Sequence, residues 1–449
     1  MDKKIFITVS IFLFLVFCFT GCEKDYPEDI WQPDAVGLAD PVINSVDPPD
    51  KAFEGISIIT LDVSNASSNM AENIVSFNGV IGMIIADQSD QNRLVVKVPV
   101  VIEDEAVNSL DSVRITLAAQ GAYDLAVYPN ATSTVQNYQI EKAAVIWGEF
   151  KGSADMDQNP RAVACDRNEN IYVSTYDGAA KEIYMVDPSG TKSFYSTATA
   201  SVVTGMVMGP GDSLYYARKY KYIYVCPPGT GTSTKFNTTK LPNSGKAYAL
   251  DFDQNGILFA VGKGNPSAVF SLTPDATPTA SNEYDDFELV ACKVYDGYLY
   301  VGGIQYDASG AEIMEGIWKS AITGTDATLG TRELVFDWSS HVGIDGPTLH
   351  SILIDEYGKI LIGAAETYSA GGSYTGGTAI TVLDPSSGAT EPLYASVLFA
   401  PAAHMVWGNS TYLYVSRHTE NLAAEGAPDK KIIRVALDRN SAPYYGRIQ

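Results

Sequence analysis

The 449-residue chain sets 30 Lys and Arg against 53 Asp and Glu, a formal charge of −23 at neutral pH, with 46% apolar residues. That apolar fraction excludes a disordered polymer and can supply two or three cores, while the acidic excess repels phosphate backbones, so no nucleic acid partner is expected. The five cysteines are too few and too irregularly spaced for a disulfide framework or a zinc site.

At the N-terminus, Lys3 and Lys4 precede an apolar run from Ile5 to Phe19, which falls short of the roughly 20 residues a spanning helix needs. The next residues, Phe19-Thr20-Gly21-Cys22, resemble the bacterial lipobox, in which a small residue precedes a cysteine that is lipidated and becomes the mature N-terminus. The resemblance implies a signal peptide over 1–21, lipidation of Cys22 and anchorage in the outer membrane; an ordinary signal peptide with an incidental cysteine is the alternative. Glu23, Asp25, Glu28 and Asp29 resemble the acidic export signal of outer-membrane lipoproteins, which implies a chain facing the cell exterior. Residues 22–40, acidic and carrying Pro27 and Pro33, read as an extended tether.

From 41 to 143 the chain changes to short β-rich runs, "ISIITLDVSN", "NIVSFNG", "RLVVKVPV" and "SVRITLAAQ", broken by Asn, Gly, Asp and Pro. Their order resembles the immunoglobulin-like IPT/TIG domain, which implies an antiparallel sandwich used as a spacer.

Residues 144–449 carry six copies of one pattern: "RAVACDRNENIYVS", "GMVMGPGDSLYYA", "AYALDFDQNGILFAV", "LVACKVYDGYLYVGG", "SILIDEYGKILIGA" and "AHMVWGNSTYLYVS". Each is an apolar strand, a turn and an aromatic-rich strand, spaced roughly 40 to 60 residues apart, as propeller blades are. A third strand follows in the units, as in "EIYMVDPSG" and "IIRVALD". The fold class is therefore all-β, a sandwich followed by a six-bladed β-propeller that resembles the NHL and senescence-marker-like families. In that resemblance "AAVIWGEF" is the outermost strand of the last blade and closes the ring.

Several stretches carry candidate chemistry. "DFDQNG", Asp251 to Gly256, matches the opening of a calcium loop, but Gly262 stands where the closing carboxylate belongs and the segment coincides with a hairpin turn. His350, His404 and His418 fall on one face, where they could hold a metal or hydrogen-bond loops and ligand; the expectation is no metal and no cofactor. The senescence-marker-like hydrolases hold metal with carboxylates at the inner mouth of the ring, yet of the corresponding positions here only Glu288 is acidic.

That mouth instead gathers aromatic and paired polar groups: Arg161, Tyr176, Asp177, Arg218, Tyr220, Tyr248, Lys263, Gln305, Tyr306, Trp338, His350, Glu366, Tyr368, His404, Arg417 and His418. Aromatic faces stack on sugar rings while carboxylates, amides and Arg bind hydroxyls. The expected function is glycan capture at the cell surface, through a membrane lipid anchor and with a possible outer-membrane transporter as partner. The alternatives are a lyase or hydrolase of a sugar acid using His350, His404 and Glu288, and a protein-docking platform.

Overall fold

The computed structural model describes residues 37–103, 107–130, 137–150, 159–176, 181–198, 202–324, 328–343, 346–364, 367–368, 374–376, 378–395, 397–398, 401–417 and 431–448. The expected signal peptide, Cys22 and nearly all of the expected tether lie outside them. Among the described residues no helix is long and apolar enough to cross a membrane.

By contacts the chain forms two compact units, the first from residues up to Pro49 with Ile59–Val96 and Arg114–Tyr138, the second from Asp50–Ile58, Lys97–Val113 and Gln139–Gln449. In the first, one four-stranded sheet orders Val42–Asp47, Ile58–Ser64, Arg93–Lys97 and Met83–Ile84. A second orders Ala126–Tyr128, Ile115–Ala119, Asn73–Phe77 and Val80–Ile81. Side chains alternate along these strands, so Ile59, Leu61 and Val63 are buried while their neighbours are less so.

The second unit contains the propeller, whose repeats fold as six antiparallel blades. Blade 1 is built on Asn159–Cys165 and Ile171–Tyr176, blade 2 on Gly205–Gly209 and Ser213–Ala217, and blade 3 on Lys246–Phe252 and Leu258–Lys263. Blade 4 has Phe287–Tyr295 and Tyr298–Tyr306, blade 5 Leu349–Ile354 and Ile360–Ala364, and blade 6 His404–Trp407 and Tyr412–Arg417. A blade packs on both of its faces, so its strands are apolar throughout instead of alternating; every residue of Ile360–Ala364 is buried. The cores lie between neighbours: Tyr172, Met206 and Tyr216 join blades 1 and 2, and Trp407, Leu413 and Leu361 join blades 5 and 6.

Closure follows the strand order read from the sequence. Ala144–Ile146 pairs antiparallel with Lys431–Ala436, matching Val145 to Arg434, and forms the outer edge of blade 6. The remaining blades have outer strands of their own, such as Lys192–Thr197 and Pro278–Asp285, largely exposed or half-buried. Their polar composition hides them from a search for apolar repeats.

Turns inside the inner hairpins of blades 1, 3 and 5 share one device. Asp253 accepts the backbone N–H groups of Asn255 and Ile257, both at 2.8 Å, as Asp166 accepts those of Asn168 and Asn170 and Asp355 those of Tyr357 and Lys359. The "DFDQNG" carboxylate is thus committed to its own turn.

One feature has no counterpart in the repeat pattern. After the last strand, residues 438–448 run across the hairpin-turn face of the ring. Ala442 donates to Ile354 at 3.0 Å in blade 5, and Gly446 lies so close to the Met208 carbonyl of blade 2 that a Cβ there would sit 2.0 Å from it.

Candidate functional site

Because each inner strand runs from one face of the ring to the other and each second strand returns, Tyr176, Arg218, Lys263 and Tyr306 emerge beside the starts of the inner strands. This face lies opposite the hairpin turns and the C-terminal tail. The inner strands surround a narrow cavity of about 60 Å³ lined by Ala162, Thr204, Gly205, Leu250, Ala291, His350 and His404 among others. It is narrow because the strands approach closely: a Cβ on Gly205 would sit 2.5 Å from the Tyr248 carbonyl oxygen.

The mouth is an arc of aromatic rings and charges. In blade 1 the Arg161 guanidinium lies 5.5 Å from the Tyr176 ring centre, with Lys181 5.9 Å from the same ring. In blade 2 the Arg218 guanidinium sits 4.3 Å over Tyr224 and 5.4 Å from Tyr220, and its Nη2 donates to the Tyr224 hydroxyl at 3.0 Å. Tyr220 itself is 41% exposed.

The Lys219 ammonium, 5.1 Å from the Tyr248 ring, carries the arc to blade 3. Tyr248 is largely buried, and burial, with Glu288 nearby, pushes its hydroxyl up to about 12. Lys263 then donates to Glu288 at 2.5 Å and lies 5.0 Å from the Tyr306 ring, and the Tyr306 hydroxyl is 3.5 Å from the same carboxylate. Pairing of Lys263 with Glu288 also bridges blades 3 and 4. Gln305 is half-buried opposite Phe287, and Arg417 is half-buried opposite Lys431.

His350 and His404 both line the cavity at the starts of their inner strands. Burial, then the neighbouring His350, Arg161 and Lys219, pulls His404 down to about 3, so its imidazole is neutral at physiological pH. The Glu288 carboxylate is engaged by Lys263 and Tyr306. Among the described residues no group of three His, Cys, Asp or Glu could hold a metal ion.

One expected ligand contact is corrected. Trp338 is 1% exposed, at the start of the short helix Trp338–Val342, and its Nε1 donates to the Pro347 carbonyl at 2.7 Å. Its ring packs with Ile317, Leu349 and Ile362 in the core between blades 4 and 5 and has no face to offer a ligand. Tyr368 belongs to the strand Thr367–Tyr368, which pairs with Tyr374–Gly376; Asp177, Glu366 and His418 lie outside the described residues.

Two groups beside the mouth were not expected. Tyr224 carries Arg218 from a third strand that reads as ordinary packing. Glu315 is buried between blades 4 and 5, accepts the Leu349 backbone N–H at 2.9 Å, and is pushed up to about 7 by burial. Its only sequence signal is an acid inside the run "EIMEGIW".

No family model matches the chain, and no curated protein does. Solved structures do. A provisionally assigned phosphatase of Bacteroides thetaiotaomicron is 12% identical, with 90% of this chain and 99% of that chain covered at a TM-score of 0.51. An auxiliary nutrient binding protein of the same organism is 12% identical, with the same two shares covered at 0.48. A gluconolactonase of Xanthomonas campestris, 11% identical, matches 66% of this chain and 89% of its own at 0.46. At such identities the likeness is one of fold: the chain has the architecture of six-bladed β-propeller proteins.

Proposed function

We propose that the protein is a cell-surface lipoprotein that captures a glycan on the mouth of its propeller. The observation that carries this reading is the continuous arc from Arg218 and Tyr220 through Lys219, Tyr248 and Glu288 to Lys263 and Tyr306. Exposed Tyr220 and half-exposed Tyr306 stand on either side of the buried Tyr248, among charged donors and a carboxylate, the combination that stacks on a sugar ring and grips its hydroxyls. Cys22 would carry the lipid, 22–40 would hold the protein off an outer membrane, and 41–143, an IPT/TIG-like immunoglobulin sandwich, would act as a spacer. A membrane transporter would receive the captured sugar.

Glycan-array screening of the purified mature chain, followed by calorimetry of Tyr220→Ala and Tyr306→Ala, tests the reading. Each substitution removes a ring worth on the order of 1 kcal/mol or more, so affinity should fall several-fold while circular dichroism is unchanged. Failure to bind any glycan, or binding indifferent to both substitutions, would reject this face as the site.

A further inference from the structure

We propose that the mouth selects a negatively charged sugar, one bearing a carboxylate or a sulfate, and that Arg218 is its principal contact. The proposal rests on the glycan-binding reading and narrows its ligand class.

Arg218 is 8% exposed, and its Nη2 is bonded to Tyr224, but its Nε and Nη1 have no hydrogen-bond partner among the described residues. A buried guanidinium is costly unless its charge and donors are met. Its planar fork matches a carboxylate or sulfate two bonds at a time, whereas a neutral hydroxyl accepts from it without cancelling the charge. Thr204 Oγ1 likewise lacks a partner among the described residues. The backbone N–H of Thr204 donates to Ala217 at 2.9 Å, which places this hydroxyl beside the strand end that presents Arg218.

The surrounding charge points the same way. The groups that act on His404 are His350, Arg161 and Lys219, each a cation or able to become one. Glu288 is already occupied by Lys263 at 2.5 Å. Around His404, between Arg161 and Lys219, the mouth is therefore locally positive in a chain of formal charge −23, while Glu312 joins Glu288 on the Tyr306 side of blade 4, so the positive stretch is the one that includes Arg218. Over longer distances the acidic surface would repel an anion, so selection rests on short-range pairing at the arc.

The test is calorimetry of the full mature chain with three tetrasaccharides: a galacturonate oligomer, a sulfated heparin-type oligomer and an uncharged galactose oligomer. One acidic oligomer should bind at least tenfold more tightly than the neutral one, and which of the two does so separates carboxylate from sulfate recognition. Arg218→Gln should cost that oligomer tenfold or more and the neutral one little. Lys219→Gln, at an exposed position that leaves folding intact, should cost it several-fold. Equal affinity for acidic and neutral oligomers, or indifference to both substitutions, overturns the proposal. If none of the three binds while a neutral glycan on the array does, the charge selection falls and the glycan reading stands; if no glycan on the array binds, both fall.

Discussion

Arg447 donates its Nε–H to the carbonyl oxygen of Cys165 at 2.7 Å, tying the C-terminal tail to the foot of blade 1. The same guanidinium reaches blade 6, donating to Gly408 O at 3.0 Å, Asn409 Oδ1 at 2.9 Å and the Trp407 carbonyl. Nearby, the Lys293 ammonium sits 4.5 Å from the Tyr444 ring and 3.4 Å from Asp251, joining blades 3 and 4 to the tail. One peptide thus gathers strand ends from around the ring.

Arg447→Ala should accordingly destabilise the propeller by on the order of 3 kcal/mol, because it leaves three carbonyls on the buried side of the tail unmet. Urea unfolding followed by tryptophan fluorescence checks this. An unchanged midpoint would mean the tail is an adornment and not a clasp.

Trp338→Ala should lower stability by roughly 3 to 5 kcal/mol, the usual cost of emptying a large aromatic site in a packed core. Trp338→Phe should recover part of it, losing the bond to Pro347. Thermal melts decide between this and a ligand role, in which stability would hold and only glycan affinity would fall.

Glu315 predicts a pH signature. Burial pushes its carboxyl up to about 7, above the ordinary 4.5 of a glutamate, so the folded state holds the proton more tightly than the unfolded chain. The stability contributed is full below about pH 4.5 and is lost as pH rises through 7, by about 3 kcal/mol. Glu315→Gln keeps an acceptor for the Leu349 N–H without the charge. The variant should match the parent near pH 4.5 and exceed it in melting temperature at pH 8; a difference independent of pH would refute the assignment.

Cys22→Ala should release the protein from membranes, since without acyl chains the mature segment has nothing long enough to hold a bilayer. Detergent partitioning after a high-salt wash measures it, and retention in the membrane fraction would refute the lipoprotein proposal.

Sequence by itself determined the parts of this protein that are encoded locally. Hairpins such as "FDQNGILF" combine apolar strands with Asp, Asn and Gly at the turn, so repeat number, the two faces of the ring and the closing role of Ala144–Ile146 were all legible. Position within a repeat fixes which face a residue reaches, so the shared face of Tyr176, Arg218, Lys263 and Tyr306 was legible for the same reason. Burial was not encoded this way. Trp338 and Tyr306 are both aromatic residues in blade 4, and only packing between blades 4 and 5 puts the first in the core and leaves the second half-exposed beside Glu288. The outer strands and the tail were hidden because their sequences carry no apolar period. Tertiary structure alone decided that Arg447 clasps blades 6 and 1, that Glu288 pairs with Lys263, and that Arg218 is buried with two donors unmet among the described residues. Each depends on residues far apart in the chain whose proximity comes from ring closure, and a linear pattern holds no record of that distance.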